Sequence, residues 1–362
     1  MQLRIPGPTP LPEEVLQAMA RQMVNHRGPE FAEMIRESTA ILKEMFQTKG
    51  DVLILTGSGT GGMEAAVVNS LSPGDKVLSV ANGVFGERFA DIAETFGAEV
   101  SRLGFEWGQA VDPDAVRAAL SQDTTIKAVL VTHNETSTGV TNDMASIGAT
   151  IREFDKLLVV DAISGLGAID LPIDAWGCDI VVTGSQKGWM APPGLAMVSV
   201  GERGWQAHAQ AKMPRFYWDL ARAKKYLDDR GQTPWTPGLT TIYGLHAGLK
   251  LLQQEGFGNI IARHARVGAK AREGVKSLGL SLFADEKHAS NTVTAVKVPD
   301  GVDVKKLRGV LRDEFDTVLA GGQQSLEGKI FRIGHLGFVT EADMDAVIGA
   351  LKAALPKAGF KG

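Results

Sequence analysis

From Asp51 onward the sequence alternates short continuous apolar runs with amphipathic stretches of helical period, and few architectures accept that alternation. Runs at residues 52–55, 76–80, 128–132, 157–160, 180–183 and 196–200 are rich in Val, Ile and Leu and read as strands buried on both faces. The stretches between them, at 63–71, 85–96, 114–120 and 144–154, read as helices. Apolar strands joined by helical crossovers predict an α/β domain, a mostly parallel sheet covered by helices.

A chain of 362 residues exceeds what one core holds well, so a second unit is expected. A helical pattern at 240–254 runs into Glu255-Gly256-Phe257-Gly258, a natural break. Beyond it a helix (260–278), strands (292–298 and 329–333) and two further helices (304–315 and 341–355) predict a smaller α+β domain. At the other end, three prolines in Ile5-Pro6-Gly7-Pro8-Thr9-Pro10 forbid a helix and predict an extended arm. Helical patterns follow at 13–23 and 29–46. The expected organisation is an arm (1–14), a large domain (15–255) and a small C-terminal domain (256–362).

Three motifs sit at predicted strand ends. Thr56-Gly57-Ser58-Gly59-Thr60-Gly61-Gly62 follows one strand and opens a helix. Glycines there let backbone N–H groups approach an anion, and the helix terminus and hydroxyls add to the attraction. Met63 after Gly62 argues against a P-loop, and the lack of an acidic residue at the end of the next strand argues against a dinucleotide site. Asp161 closes the strand at 157–160, where open α/β sheets bind ligands. Lys187 follows the strand at 180–183 among small residues, and a partly buried lysine is a candidate amine nucleophile. An anion cup, a carboxylate and a lysine together match the needs of pyridoxal 5'-phosphate (PLP): a phosphate site, a partner for the pyridine nitrogen and an amine for the Schiff base.

Further motifs carry a resemblance. They are Asn25-His26-Arg27-Gly28-Pro29-Glu30-Phe31, Asn82-Gly83-Val84-Phe85-Gly86-Glu87-Arg88, Thr132-His133-Asn134-Glu135-Thr136-Ser137-Thr138-Gly139, Ser185-Gln186-Lys187, Pro192-Pro193-Gly194-Leu195-Ala196 and Phe331-Arg332-Ile333-Gly334-His335. With the three above they resemble, in order and spacing, the class V family of fold-type I aminotransferases, and within it the alanine/serine–glyoxylate aminotransferases. The resemblance implies that Lys187 holds the cofactor and moves the substrate proton, and that Asp161 pairs with the pyridinium. It implies that Phe85 and Ile163 press the two ring faces and that Thr136 bonds the phenolic oxygen. Ser58, Gly59, Thr60 and Gln186 would hold the phosphate, and Arg332 the substrate carboxylate. Trp235-Thr236-Pro237 resembles a segment given by a second subunit, which makes Thr236 a cofactor contact and the protein a homodimer with a shared active site.

The expected reaction moves an amino group from serine or alanine to a 2-oxo acid, glyoxylate first. Alternatives on the same fold are an aspartate- or phosphonate-specific transaminase and a PLP-dependent lyase or desulfurase. A desulfurase needs a mobile cysteine, and the one cysteine, Cys178, lies at the head of the strand leading to Lys187. A net charge of −4 points to no nucleic acid or anionic membrane partner. No apolar run reaches the roughly 18 residues of a membrane span, and the N-terminus lacks a signal-peptide core, so a cytoplasmic location is expected. The Arg-Phe-Tyr-Trp stretch at 215–218 and Arg222, Lys224 and Lys225 are expected on a solvated helix near the entrance.

Overall fold

In the computed structural model, which describes residues 2–361, the alternating segment forms a seven-stranded sheet. Its order is Asp51–Thr56, Leu195–Val200, Ile180–Gly184, Leu157–Asp161, Ala128–Thr132, Lys76–Ala81 and Glu99–Gly104. Neighbours are parallel except at Leu195–Val200, which runs antiparallel to both of its partners. The strand period of two explains the continuous apolar runs. Along Ala128–Thr132, Val129 and Val131 enter the core on one face, while Ala128 and Leu130 enter the core on the other. Helices Gly59–Ser70, Val84–Thr95, Pro113–Gln122 and Met144–Glu153 fill the crossovers. Glu99–Gly104 was not expected: it is an edge strand with no fully buried residue, so it carries no apolar run.

The smaller sheet has the order Gln2–Arg4, Thr317–Gly321, Ile330–Gly334, Val293–Lys297. Helices Phe257–Ser277, Val304–Phe315 and Glu341–Ala354 share a core with it through Val267, Leu307, Leu319, Phe331 and Val347. Gly256, at a φ of +85°, separates the helix Leu239–Glu255 from Phe257–Ser277. The helix expected at 13–23 ends at Met19. The residues at 215–218 precede the helix Leu220–Arg230, which carries Arg222, Lys224 and Lys225.

The expected arm begins as a strand. Residues 2–4 precede the first proline, so their N–H groups can pair, and Gln2–Arg4 runs parallel to Thr317–Gly321 as an edge strand. Arg4 also forms an ion pair with Asp343 on the helix Glu341–Ala354. The arm therefore packs on its own chain. Met1 and Gly362, the outer ends of the expected arm and small domain, lie outside the described residues.

Candidate active site

The parallel strands end along one edge of the large sheet, where Asp161 sits in register with Thr132 on one neighbour and Val182 on the other. A cavity of about 100 Å³ opens there. Nine of the expected site residues line it: Ser58, Gly59, Thr60, Phe85, Thr136, Asp161, Ile163, Gln186 and Lys187. Arg88, Asn134 and Ser164 line it too.

Lys187 and Asp161 are both buried and face one another electrostatically. Burial pulls the Lys187 amine down to about 8, with the charges of Arg332 and Arg88 adding to the effect and Asp161 opposing it. Burial pushes the Asp161 carboxyl up to about 7, against one backbone hydrogen bond from Ile163 N–H at 2.9 Å. The Lys187 amine donates to the carbonyl of Pro6, and Gly7 crosses directly over the lysine. A Cβ on Gly7 would lie 2.9 Å from Lys187 Cδ, Cε and Nζ, and its φ of +121° suits glycine alone. The arm thus covers the lysine of its own chain.

Ser58 caps the helix Gly59–Ser70, its hydroxyl accepting from Gly61 N–H at 3.4 Å. The N–H groups of Gly59 and Thr60, in the same first turn, find no acceptor among the described residues. The glycines of this loop do more packing than the sequence suggests. A Cβ on Gly57 or Gly61 would strike the Trp218 indole at 2.6 or 2.8 Å, and one on Gly59 would strike Ile163 at 2.6 Å. Only Gly59 opens toward the cavity, and it does so by admitting Ile163.

Phe85 opens the helix Val84–Thr95, whose N-cap Gly83 has no side chain to cap with. A carboxylate from elsewhere does the capping. Glu135, fully buried, accepts from Phe85 N–H at 3.0 Å and Gly86 N–H at 3.1 Å, and from the Ser137 N–H and hydroxyl at 3.0 and 2.5 Å. Burial raises the Glu135 carboxyl, and these bonds oppose the rise. Thr136, next in sequence, donates its hydroxyl to Ser164 Oγ at 2.6 Å, and Asn134 donates to the same oxygen at 2.8 Å. Gln186 keeps its Oε1 buried and unpaired. Asn134, Glu135 and Arg88 lie inside motifs whose residue types were visible, but only the fold gives them partners. Ser164 carried no sequence signal beyond its nearness to Asp161.

Two expected contacts stand outside the cavity lining. Arg332, on the strand Ile330–Gly334, donates from Nε to Gly321 O at 2.9 Å and from Nη1 to Thr136 O at 3.0 Å. Its Nη2 makes no bond among the described residues. Burial lowers its pKa to about 10, so it stays cationic at neutral pH. Thr236 is exposed and does not reach its own chain's cavity. Nearby Trp235 donates to the Tyr217 carbonyl at 3.1 Å and stacks on Phe216 at 4.8 Å between ring centroids. Cys178 is buried away from the cavity, its thiol pushed up to about 12 by burial, which suits no nucleophile.

The aminotransferase class-V family model matches residues 3–346. The chain is 45% identical to the soluble hydrogenase 42 kDa subunit of Anabaena cylindrica, covering 100% of this chain and 94% of that one. It is 38% identical to the L-aspartate–glyoxylate aminotransferase of Paracoccus denitrificans, covering 93% of this chain and 87% of that one. It is 35% identical to the serine–glyoxylate aminotransferase of Arabidopsis thaliana, covering 99% and 91%. Among solved structures, the alanine–glyoxylate aminotransferase from Nostoc sp. superposes with a TM-score of 0.94 at 33% identity, covering 98% of this chain and 95% of that one. The chain belongs to the class-V aminotransferases, a family of PLP-dependent transaminases.

Proposed function

We propose that the protein transfers the amino group of serine or alanine to glyoxylate, with Lys187 as the cofactor lysine. The observation that carries this reading is a buried lysine amine, lowered to about 8, facing a buried carboxylate in a cavity at the strand ends. The residues fit PLP. Asp161 makes one hydrogen bond and has acceptor capacity to spare, the cup presents two unpaired N–H groups, and the Gln186 amide makes no side-chain hydrogen bond among the described residues, which leaves its Nε2 donors for a phosphate oxygen. A Gln amide offers donors as readily as an acceptor.

PLP, when bound, supplies an electron sink for the charge left at the substrate Cα. Asp161 would hold a proton on the ring nitrogen, Lys187 Nζ would move the proton to and from the substrate Cα, and Phe85 and Ile163 would pack the two ring faces. Thr136 would bond the phenolic oxygen, and Ser58, Gly59, Thr60 and Gln186 would hold the phosphate. Arg332 grips the substrate carboxylate with the amino group its backbone bonds leave over. Thr236 completes the phosphate site of a partner subunit. The exposed Phe216 and Tyr217, at 66% and 45%, support a homodimer built over this face. We divide the chain at Gly256 into a large domain (15–255) and a small one (256–362), with residues 1–14 as an arm that closes over Lys187. Among the described residues no helix is long and apolar enough to cross a membrane, and we place the protein in the cytoplasm.

A half-reaction screen tests the substrate. The PLP form is mixed with serine, alanine, aspartate or glutamate, then with glyoxylate, pyruvate or 2-oxoglutarate. Serine or alanine with glyoxylate should react fastest. Aspartate or glutamate ahead by about tenfold, ~1.4 kcal/mol in transition-state binding, would contradict the proposal.

A further inference from the structure

The cavity holds a cation that the roles above leave unused. Of its lining residues only Lys187 and Arg88 carry cationic side chains. The Arg88 guanidinium lies 4.7 Å from the centroid of the Phe85 ring, and its Nη1 reaches Thr60 Oγ1 at 3.5 Å, the outer limit of a hydrogen bond. It forms no ion pair among the described residues, and the reason is visible on its own helix. Glu87 and Asp91, the carboxylates beside it and one turn on, turn to Arg102, at 3.2 and 2.8 Å, and Glu94 does the same. Of the buried carboxylates nearby, Glu135 is committed to four donors, and Asp161, raised by burial and only opposed by the Arg88 charge, forms no ion pair with it. Arg88 is left cationic, loosely held and facing the cavity.

The cup, by contrast, lacks a full positive charge. Ser58, Gly59 and Thr60 offer hydroxyls, N–H groups and a helix terminus worth about half a charge. A phosphate carries close to two negative charges, and burying it against dipoles alone leaves most of that charge uncompensated. We propose that Arg88 is the charge partner of the phosphate held at Ser58, Gly59 and Thr60, reaching it past Thr60. The planar guanidinium suits a phosphate, and the long bond to Thr60 leaves it free to move onto one. The inference rests on the PLP reading above and assigns a residue which that reading did not use. It also leaves the substrate side chain without a second cation, in line with a short neutral donor.

The test is cofactor binding to the apoprotein, read from the absorbance of the lysine-bound form, with PLP and with pyridoxal, which lacks the phosphate. R88Q should weaken PLP by about 10–100-fold, as for a lost hydrogen bond to a charged group, and leave pyridoxal unchanged. R88K keeps the charge without the planar fork and should lose less, again with PLP alone. Inorganic phosphate should compete with PLP in the wild type and lose that ability in R88Q. Equal loss of both ligands in R88Q or R88K, or no loss of either, overturns the proposal. So does a variant that binds PLP normally but reacts more slowly with aspartate relative to serine, since the cation would then face substrate. Absence of lysine-bound PLP in the wild type would instead be a failure of the transaminase reading itself.

Discussion

At the residue scale the site is a place where burial works against charge. Asp161 and Lys187 are both shifted toward their neutral forms, so the apoprotein keeps two ionisable groups where water cannot stabilise them. The sign for Asp161 follows from its raised folded value. Between its ordinary carboxyl value and about 7 the folded state holds a proton that the unfolded state has released, so stability falls as pH rises through that window. Asn at this position removes the cost. The advantage of apo D161N over the wild type should therefore grow between pH 5 and pH 8, by on the order of 1–3 kcal/mol. Thermal melts at the two pH values check this. The same variant should lose transamination by orders of magnitude, because the charge on the ring nitrogen is then unsupported in the transition state. A variant with near-normal kcat, or a melt difference that does not depend on pH, would remove Asp161 from its role.

At the scale of elements, the strand–helix alternation was legible because a sheet covered on both sides leaves continuous apolar runs. Six of the seven strands follow from it, and the seventh, Glu99–Gly104, escaped because an edge strand needs no such run. Gln2–Arg4 escaped for another reason: three residues of pairing are fixed by a partner strand more than three hundred positions away. The cup, Asp161 and Lys187 were legible as residue types at strand ends. What the sequence could not carry was the long-range capping of the Phe85 helix by Glu135, or the packing role of the loop glycines. Gly59 makes the second point testable. A methyl there meets Ile163 at 2.6 Å and pushes it into the cavity. Gly59→Ala should weaken cofactor binding by about tenfold or more, on the scale of overpacking costs of 1–3 kcal/mol, and Ile163→Ala in the same chain should restore part of it. Titration of the single and double variants decides it. Additive losses would show that the two residues do not act through one contact.

For the whole molecule, the N-terminal arm packs on its own small sheet and over its own Lys187, and so gives no sign of a partner subunit. The case for a dimer therefore rests on the exposed Phe216 and Tyr217, on which the half-buried Trp235 stacks, and on Thr236, which its own cavity leaves outside. Sedimentation should give twice the 38.6 kDa of one chain, and Phe216→Glu should loosen the dimer and its hold on PLP together. An active monomer would contradict the shared site. The claim on which the rest stands is that Lys187 carries the cofactor, and covalent trapping tests it most directly. The PLP-loaded protein is reduced with borohydride, digested and mapped by mass spectrometry. The account predicts the pyridoxyl label on Lys187, with label and turnover both lost in Lys187→Ala. A label on any other lysine, or turnover that survives in Lys187→Ala, would contradict it.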